Sequence, residues 1–265
     1  MLGGRVEHRD SLGNAGLIGA GDVQWMTAGS GILDEEMPKV GPRRVDGFQV
    51  WGNLPAKLKM TAPRYQDLPA AQLPEIVRPD GARIRIIAGK IEGKTGAVRD
   101  VFADPTYLDV ALPAGGLFEQ PVPRDRPALL YVFQGEVAVG GDDDAGSGRL
   151  VPAIRLAMLE DGEVLGARAS ETPARFLLLS ALPLNEPAVR YGPFVMNTRE
   201  EVAQALRKLR DGTFIKISAW PRIRRRPQAR FRLSRQLGRN PGHPARRGGQ
   251  REPRSRGTRC FASRS

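Results

Sequence analysis

Short runs of β-forming residues, each closed by glycine or proline, constrain this chain more than any other feature. Of its 265 residues, 31 are glycine and 22 proline, a fifth of the chain, where roughly 12% is usual. Breakers at that spacing interrupt helices but leave room for strands of about five residues. The runs Leu17–Ile18, Val23–Met26, Phe48–Trp51, Arg83–Ala88, Ala128–Phe133, Glu136–Val139, Arg155–Leu159 and Arg175–Leu179 read as strands. Arg83-Ile84-Arg85-Ile86 alternates with the period of two expected of a half-buried strand. One helix is predicted, with Thr198 and Glu201 as a capping box, Val202, Ala205, Leu206 and Leu209 as its apolar face, and Gly212 as its stop. The fold class that follows is all-β.

Two parts of the chain echo each other. Gly4-Arg5-Val6-Glu7 leads to a turn at Gly19–Asp22. Gly135-Glu136-Val137-Ala138 leads, after an Asp- and Gly-rich insertion at Gly140–Gly148, to Glu160-Asp161-Gly162-Glu163. Such an echo suggests duplicated small β-barrels, with the Pro- and Lys-rich stretch Asn53–Pro79 as the connection out of the first. The longest apolar run, Ala128–Phe133, is too short to span a bilayer as a helix. A single cysteine, Cys260, excludes an internal disulfide and multi-cysteine metal sites. Charged residues from Arg5 to Asp10 interrupt any leader-like apolar run. The expected setting is cytoplasmic, with no membrane partner.

The net charge of +12 is unevenly placed. Pro221–Ser265 holds 15 arginines, no lysine and one acid, Glu252, while the preceding 220 residues carry 26 basic and 28 acidic side chains. This arginine-rich tail lacks apolar periodicity and reads as disordered, able to hold nucleic acid only non-specifically through phosphates.

Few motifs carry chemistry. Ala88–Thr95 has the look of a phosphate-binding loop, but Gly96, Val98, Val101 and Pro105 follow where a helix is required, so it reads as a hairpin loop. His8 reads as a polar strand-end residue, and Asp142-Asp143-Asp144 as a solvated loop. Asp34 and Glu36 are two apart and share one face if their segment is extended. They are either a solvated acidic strand end or two hard ligands of a divalent cation.

The segments Val6–Ser11, Gly21–Gly29, Gly31–Pro38, Gln49–Lys57, Met60–Asp67, Pro183–Pro187 and Tyr191–Glu201 strongly resemble the pirin family of bicupin proteins. The resemblance covers nearly all of residues 1–216 and implies two cupin β-barrels, which accounts for the echo. It divides the chain into a first cupin unit over 1–105, incomplete at its start, a second over 106–217 with the terminal helix, and the tail over 218–265.

The resemblance also implies one Fe(II) in the first cupin, held by three histidines and a glutamate. Two of those histidines form a His-x-His upstream of the segment that resembles Gly4–His8, ahead of the first residue here. The third falls at Asp34, only Glu36 matches a ligand, and His8 matches a position that is not one. The second cupin, Leu112–Leu179, contains no histidine, similar to the family's metal-free second domain. On this reading the site is degenerate, with iron absent or a divalent ion such as Mg or Mn held weakly by Asp34 and Glu36, and the expected function is non-catalytic. The family's activity, quercetin 2,3-dioxygenase-type flavonol cleavage, is the alternative. Iron-linked transcriptional co-regulation is a second alternative, so the implied partners are a flavonol-like small molecule or a regulatory protein. A further reading, an incomplete or frame-shifted product, would account for both ends together.

Overall fold

The computed structural model describes residues 1–216, apart from 43, 103, 141–147 and 160–161, together with the segment 258–261. In the first half, β1 (Val6–Asp10), β2 (Ala15–Ile18), β3 (Val23–Thr27), β4 (Ile32–Pro38) and β5 (Arg64–Leu68) form two small antiparallel sheets. β1 lies between β2 and β4, with His8 opposite Gly16 on one side and Glu36 on the other, and Asp10 opposite Asp34. The β1–β2 turn is built by Asp10, whose carboxylate accepts from the N–H groups of Leu12 (2.8 Å) and Asn14 (2.9 Å) and from Asn14 Nδ2 (2.7 Å). β3 pairs with β5, Val23 opposite Leu68.

β6 (Glu75–Val77) and β7 (Arg83–Ala88) leave this half and join a larger sheet. β8 (Lys90–Ile91) and β9 (Lys94–Thr95) form a hairpin with Glu92 and Gly93 both at positive φ (47° and 77°), as a tight two-residue turn requires. The Ala88–Thr95 loop is therefore a hairpin, as its sequence context implied.

The second half is a two-layer barrel of two sheets packed face to face over one core. Its strands are β10 (Thr106–Leu112), β11 (Leu117–Pro121), β12 (Ala128–Gln134), β13 (Glu136–Val139), β14 (Arg149–Pro152), β15 (Arg155–Leu159), β16 (Val164–Ala169) and β17 (Ala174–Ser180). A six-stranded sheet of order β15-β12-β17-β10-β7-β6 faces a four-stranded sheet of order β11-β16-β13-β14. Alternate residues point inward, so Ile84, Ile86, Leu108, Leu130, Phe118 and Phe176 are fully buried in one core. Phe118 meets Phe176 edge-to-face at 5.6 Å.

After the short hairpin β18 (Val189–Tyr191) and β19 (Phe194–Met196), the expected helix appears as α1 (Arg199–Arg210). Thr198 accepts from the Glu201 N–H while the Glu201 carboxylate accepts from the Thr198 N–H, completing the capping box. Val202 and Ala205 face inward, and Gly212 follows at φ 70°. Beyond the helix, the Phe214 ring lies against Gly31, where a Cβ would sit 2.3 Å from it. Gly31 also holds φ +127°, so the glycine that opens β4 is required twice over.

Three expectations are corrected. Phe48–Trp51 is not a strand. Its aromatic rings find partners through side chains instead, Phe48 edge-on to Tyr131 and Phe133 and Trp51 beneath the Arg190 guanidinium. The stretch Asn53–Pro79 is more than a connection, since it supplies β5 and β6. The tail, expected to be disordered throughout, contributes β20 (Thr258–Phe261), antiparallel to the free edge of β4. That edge offers unpaired backbone groups, and a β-prone tetrapeptide with one charge satisfies them. The rest of the tail, Asp142–Asp144 and Glu160–Asp161 lie outside the described residues. Among the described residues no helix is long and apolar enough to cross a membrane.

Two substitutions test this account. Phe176→Ala empties the centre of the barrel and should cost about 3–5 kcal/mol, while Thr198→Ala removes one cap and should cost about 1 kcal/mol. Urea unfolding midpoints give the comparison.

Candidate functional site

β4 is extended through its acidic stretch, so Asp34 and Glu36 do share a face. Its pairing with β1 sets His8 and Asp10 beside them. Asp34 is only 1% exposed, which overturns the solvated strand-end reading for that residue. His8 is likewise corrected: it lies inside β1, not at its end, and is buried. The His8 ring stacks parallel on Tyr65 at 5.6 Å, its Nε2 lies 3.6 Å from an Asp67 oxygen, and its Nδ1 has no hydrogen-bond partner. Gly16 leaves room for the ring, since a Cβ there would stand 2.7 Å from Nε2.

Among the side chains described, this face carries three acids and no cation. Asp10 is engaged by its turn. Asp34 receives a long contact from the Tyr65 hydroxyl, 3.5 Å. Burial, then the neighbouring Glu36 and Asp10, push the Asp34 carboxyl up to about 7. Burial and the surrounding acids, Asp34 first, raise the Tyr65 phenol as well. Asp34 therefore holds its proton through the mildly acidic range, and Tyr65 holds its own throughout.

An iron centre of the kind the resemblance implies, three histidines and a glutamate, needs several convergent ligands with open positions left for substrate or oxygen. Among the described residues no three His, Cys, Asp or Glu side chains are grouped to hold a metal ion. Asp34 and Glu36 supply two carboxylates, while His8 stacks on Tyr65 with its Nε2 towards Asp67. Among the described residues, these two carboxylates do not make up the donor set of such an iron centre.

The two carboxylates open instead onto a cavity of about 920 Å³ between the two halves. Trp25 and Met26 of β3, the strap around Phe48 and Trp51, and Tyr107, Leu177 and Leu179 on the outer face of the large sheet line it. Arg85 and Asp109 stand on that same outer face, the latter bound in two hydrogen bonds by Arg175. A largely apolar chamber with a few placed polar groups is the usual form of a small-molecule site. A protonated Asp34 beside a Glu36 that has no hydrogen-bond or ion-pair partner among the described residues can exchange hydrogen bonds with hydroxyl groups of an aromatic guest.

Sequence reasoning found Asp34 and Glu36 and missed Tyr65 and Asp67, which were read as connection. The signal available was the matched polar alternation of His8-x-Asp10 and Asp34-x-Glu36, which points to one shared inner face. The Asp34 proton has a stability consequence. Its carboxyl binds protons more tightly folded than unfolded, so its contribution falls as pH rises from about 4 to about 7 and stays low above. Asp34→Asn should raise the melting temperature at pH 8, by about 2–4 °C for each kcal/mol relieved, with little change at pH 4. Thermal scans of both proteins at the two pH values check this.

Comparison with known proteins agrees with the architecture. The family model for pirin matches residues 1–52, and that for the pirin C-terminal cupin domain matches residues 107–215. A pirin-like protein of Caulobacter vibrioides is 43% identical over 215 residues, 81% of this chain and 75% of that protein. Human pirin is 35% identical over 225 residues, covering 83% and 75%. Among solved structures, a quercetin 2,3-dioxygenase from Acinetobacter baumannii superposes with a TM-score of 0.69 at 33% identity, over 80% of this chain and 73% of that one. Two family models in register with the two halves, and relatives covered over three quarters of their length, lead to one conclusion: this chain belongs to the pirin family of cupin proteins.

Proposed function

We propose that this chain is a pirin-family cupin with a degenerate metal site, which binds a flavonol-like small molecule between its two halves without cleaving it. The observation that carries the reading is the donor set. Asp34 and Glu36 are the two candidate metal ligands, and His8, the single histidine among the described residues, stacks on Tyr65 with its Nε2 towards Asp67 and is not grouped with them to hold a metal ion. Such a pair can hold a hard divalent ion such as Mg or Mn loosely, through oxygen alone. The cavity's aromatic walls and its protonated Asp34 support a hydroxylated, planar guest.

The rival reading is flavonol ring cleavage, which is favoured by the likeness to the Acinetobacter baumannii quercetin 2,3-dioxygenase. Iron bound at this site would bring oxygen chemistry, and nothing in the donor set supports iron there.

The two readings part on metal content and turnover. After anaerobic loading with Fe(II) and desalting, elemental analysis should find far less than one iron per chain. Quercetin should quench tryptophan fluorescence while its own absorbance persists in air. Asp34→His should leave iron content low, because one imidazole with Glu36 is still only two ligands. Stoichiometric iron with oxygen-dependent loss of quercetin absorbance would return the dioxygenase reading to first place.

A further inference from the structure

β14 and β15 are each the outermost strand of one of the barrel's two sheets, and they lie on the same side of it. Among the described residues β14 pairs only with β13 and β15 only with β12, so two backbone edges stand free beside each other. Between them runs a groove of about 420 Å³. Its rim is apolar: Leu150 is 59% exposed, Leu156 53% and Met158 68%. At the turn between the strands Ile154 is held at φ 63° with its side chain in solvent, a conformation that a β-branched residue adopts only at a cost.

An arginine stands at each end of this groove. Val139 pairs with Arg149 at one end, and Val132 pairs with Arg155 at the other. Elsewhere on the same body arginines find carboxylates, as Arg78, Arg83, Arg124 and Arg126 do. Arg149 and Arg155 have no carboxylate partner among the described residues, and Arg155 reaches only the Ile154 carbonyl, at 3.2 Å.

We propose that this edge docks an extended acidic segment of a partner protein by strand addition. The free backbone groups of β14 or β15 would extend their ladder onto the segment, Leu150 and Leu156 would take its apolar side chains, and Arg149 and Arg155 would pair with acids at its two ends. A second copy of this chain fits less well. Two such edges brought together would crowd four arginines with no described acid between them. The groove lies on the barrel, and although Met158 borders both, Leu150, Leu156, Arg149 and Arg155 do not line the cavity that holds Asp34 and Glu36. The proposal therefore stands whether or not the cavity binds a flavonol.

A labelled peptide, Glu-Asp-Val-Thr-Val-Thr-Val-Asp-Glu, tests it by fluorescence anisotropy on the full chain, with backbone hydrogen exchange as a second readout. Saturable binding is expected, weakening as salt rises, with slowed exchange confined to β14 and β15. The same peptide with lysine at the four acidic positions should not bind. Arg149→Glu with Arg155→Glu should weaken the acidic peptide about tenfold or more and should let the lysine peptide bind in its place. This charge swap distinguishes lost recognition from lost folding. Binding that ignores both arginines, protection on another surface, no saturable binding, or a concentration-dependent dimer that buries these strands would each overturn the proposal.

Discussion

The pairing of β1 with β4 is the contact on which the site depends. It sets Asp10 opposite Asp34 and His8 opposite Glu36, so one inner sheet face carries three acids and an imidazole. A buried like-charged group is costly unless a cation joins it or a proton neutralises it. Here Asp10 is satisfied by its turn and Asp34 takes a proton. His8 stacks on Tyr65 with one nitrogen unpaired. The chemistry of the face follows from this arrangement: it presents two neighbouring carboxyl groups, with the protonated form favoured at Asp34.

The two halves contribute unequally. The second half closes its sheets over a continuous apolar core, and its outer face becomes a wall for the cavity. The first half supplies the polar groups, held by small sheets and by glycines such as Gly31 that admit close neighbours. Phe48 and Trp51 fasten the strap between the halves through aromatic and cation–π contacts on the second. Rigid scaffold and functional groups thus come from different halves of one chain.

Local signals in the sequence were sufficient where structure is decided locally. Arg83–Ala88, Glu136–Val139 and Arg155–Leu159 are strands with the expected bounds, and α1 starts at its capping box. Elements decided by distant partners were not legible. β5 reads Arg-Tyr-Gln-Asp-Leu, too polar to stand out, and exists because β3, some forty residues earlier, pairs with it. Phe48–Trp51 has strand composition but fastens to β12 by side chains rather than by a ladder. The spacing of Asp34 and Glu36 revealed a shared face. That Asp34 is buried and His8 directed at Tyr65 and Asp67 required the register of β1, β4 and β5 together.

The proposal of a degenerate metal site implies that a proton on Asp34, in place of a metal, relieves the charge of this face. Its most direct test is a carbon-13 NMR titration of the Asp34 side-chain carboxyl, assigned by comparison with Asp34→Asn and recorded with and without Fe(II). The account predicts a midpoint of about 7 that iron leaves in place. A midpoint near the ordinary aspartate value, about 4, or a resonance abolished by one equivalent of iron, would contradict it.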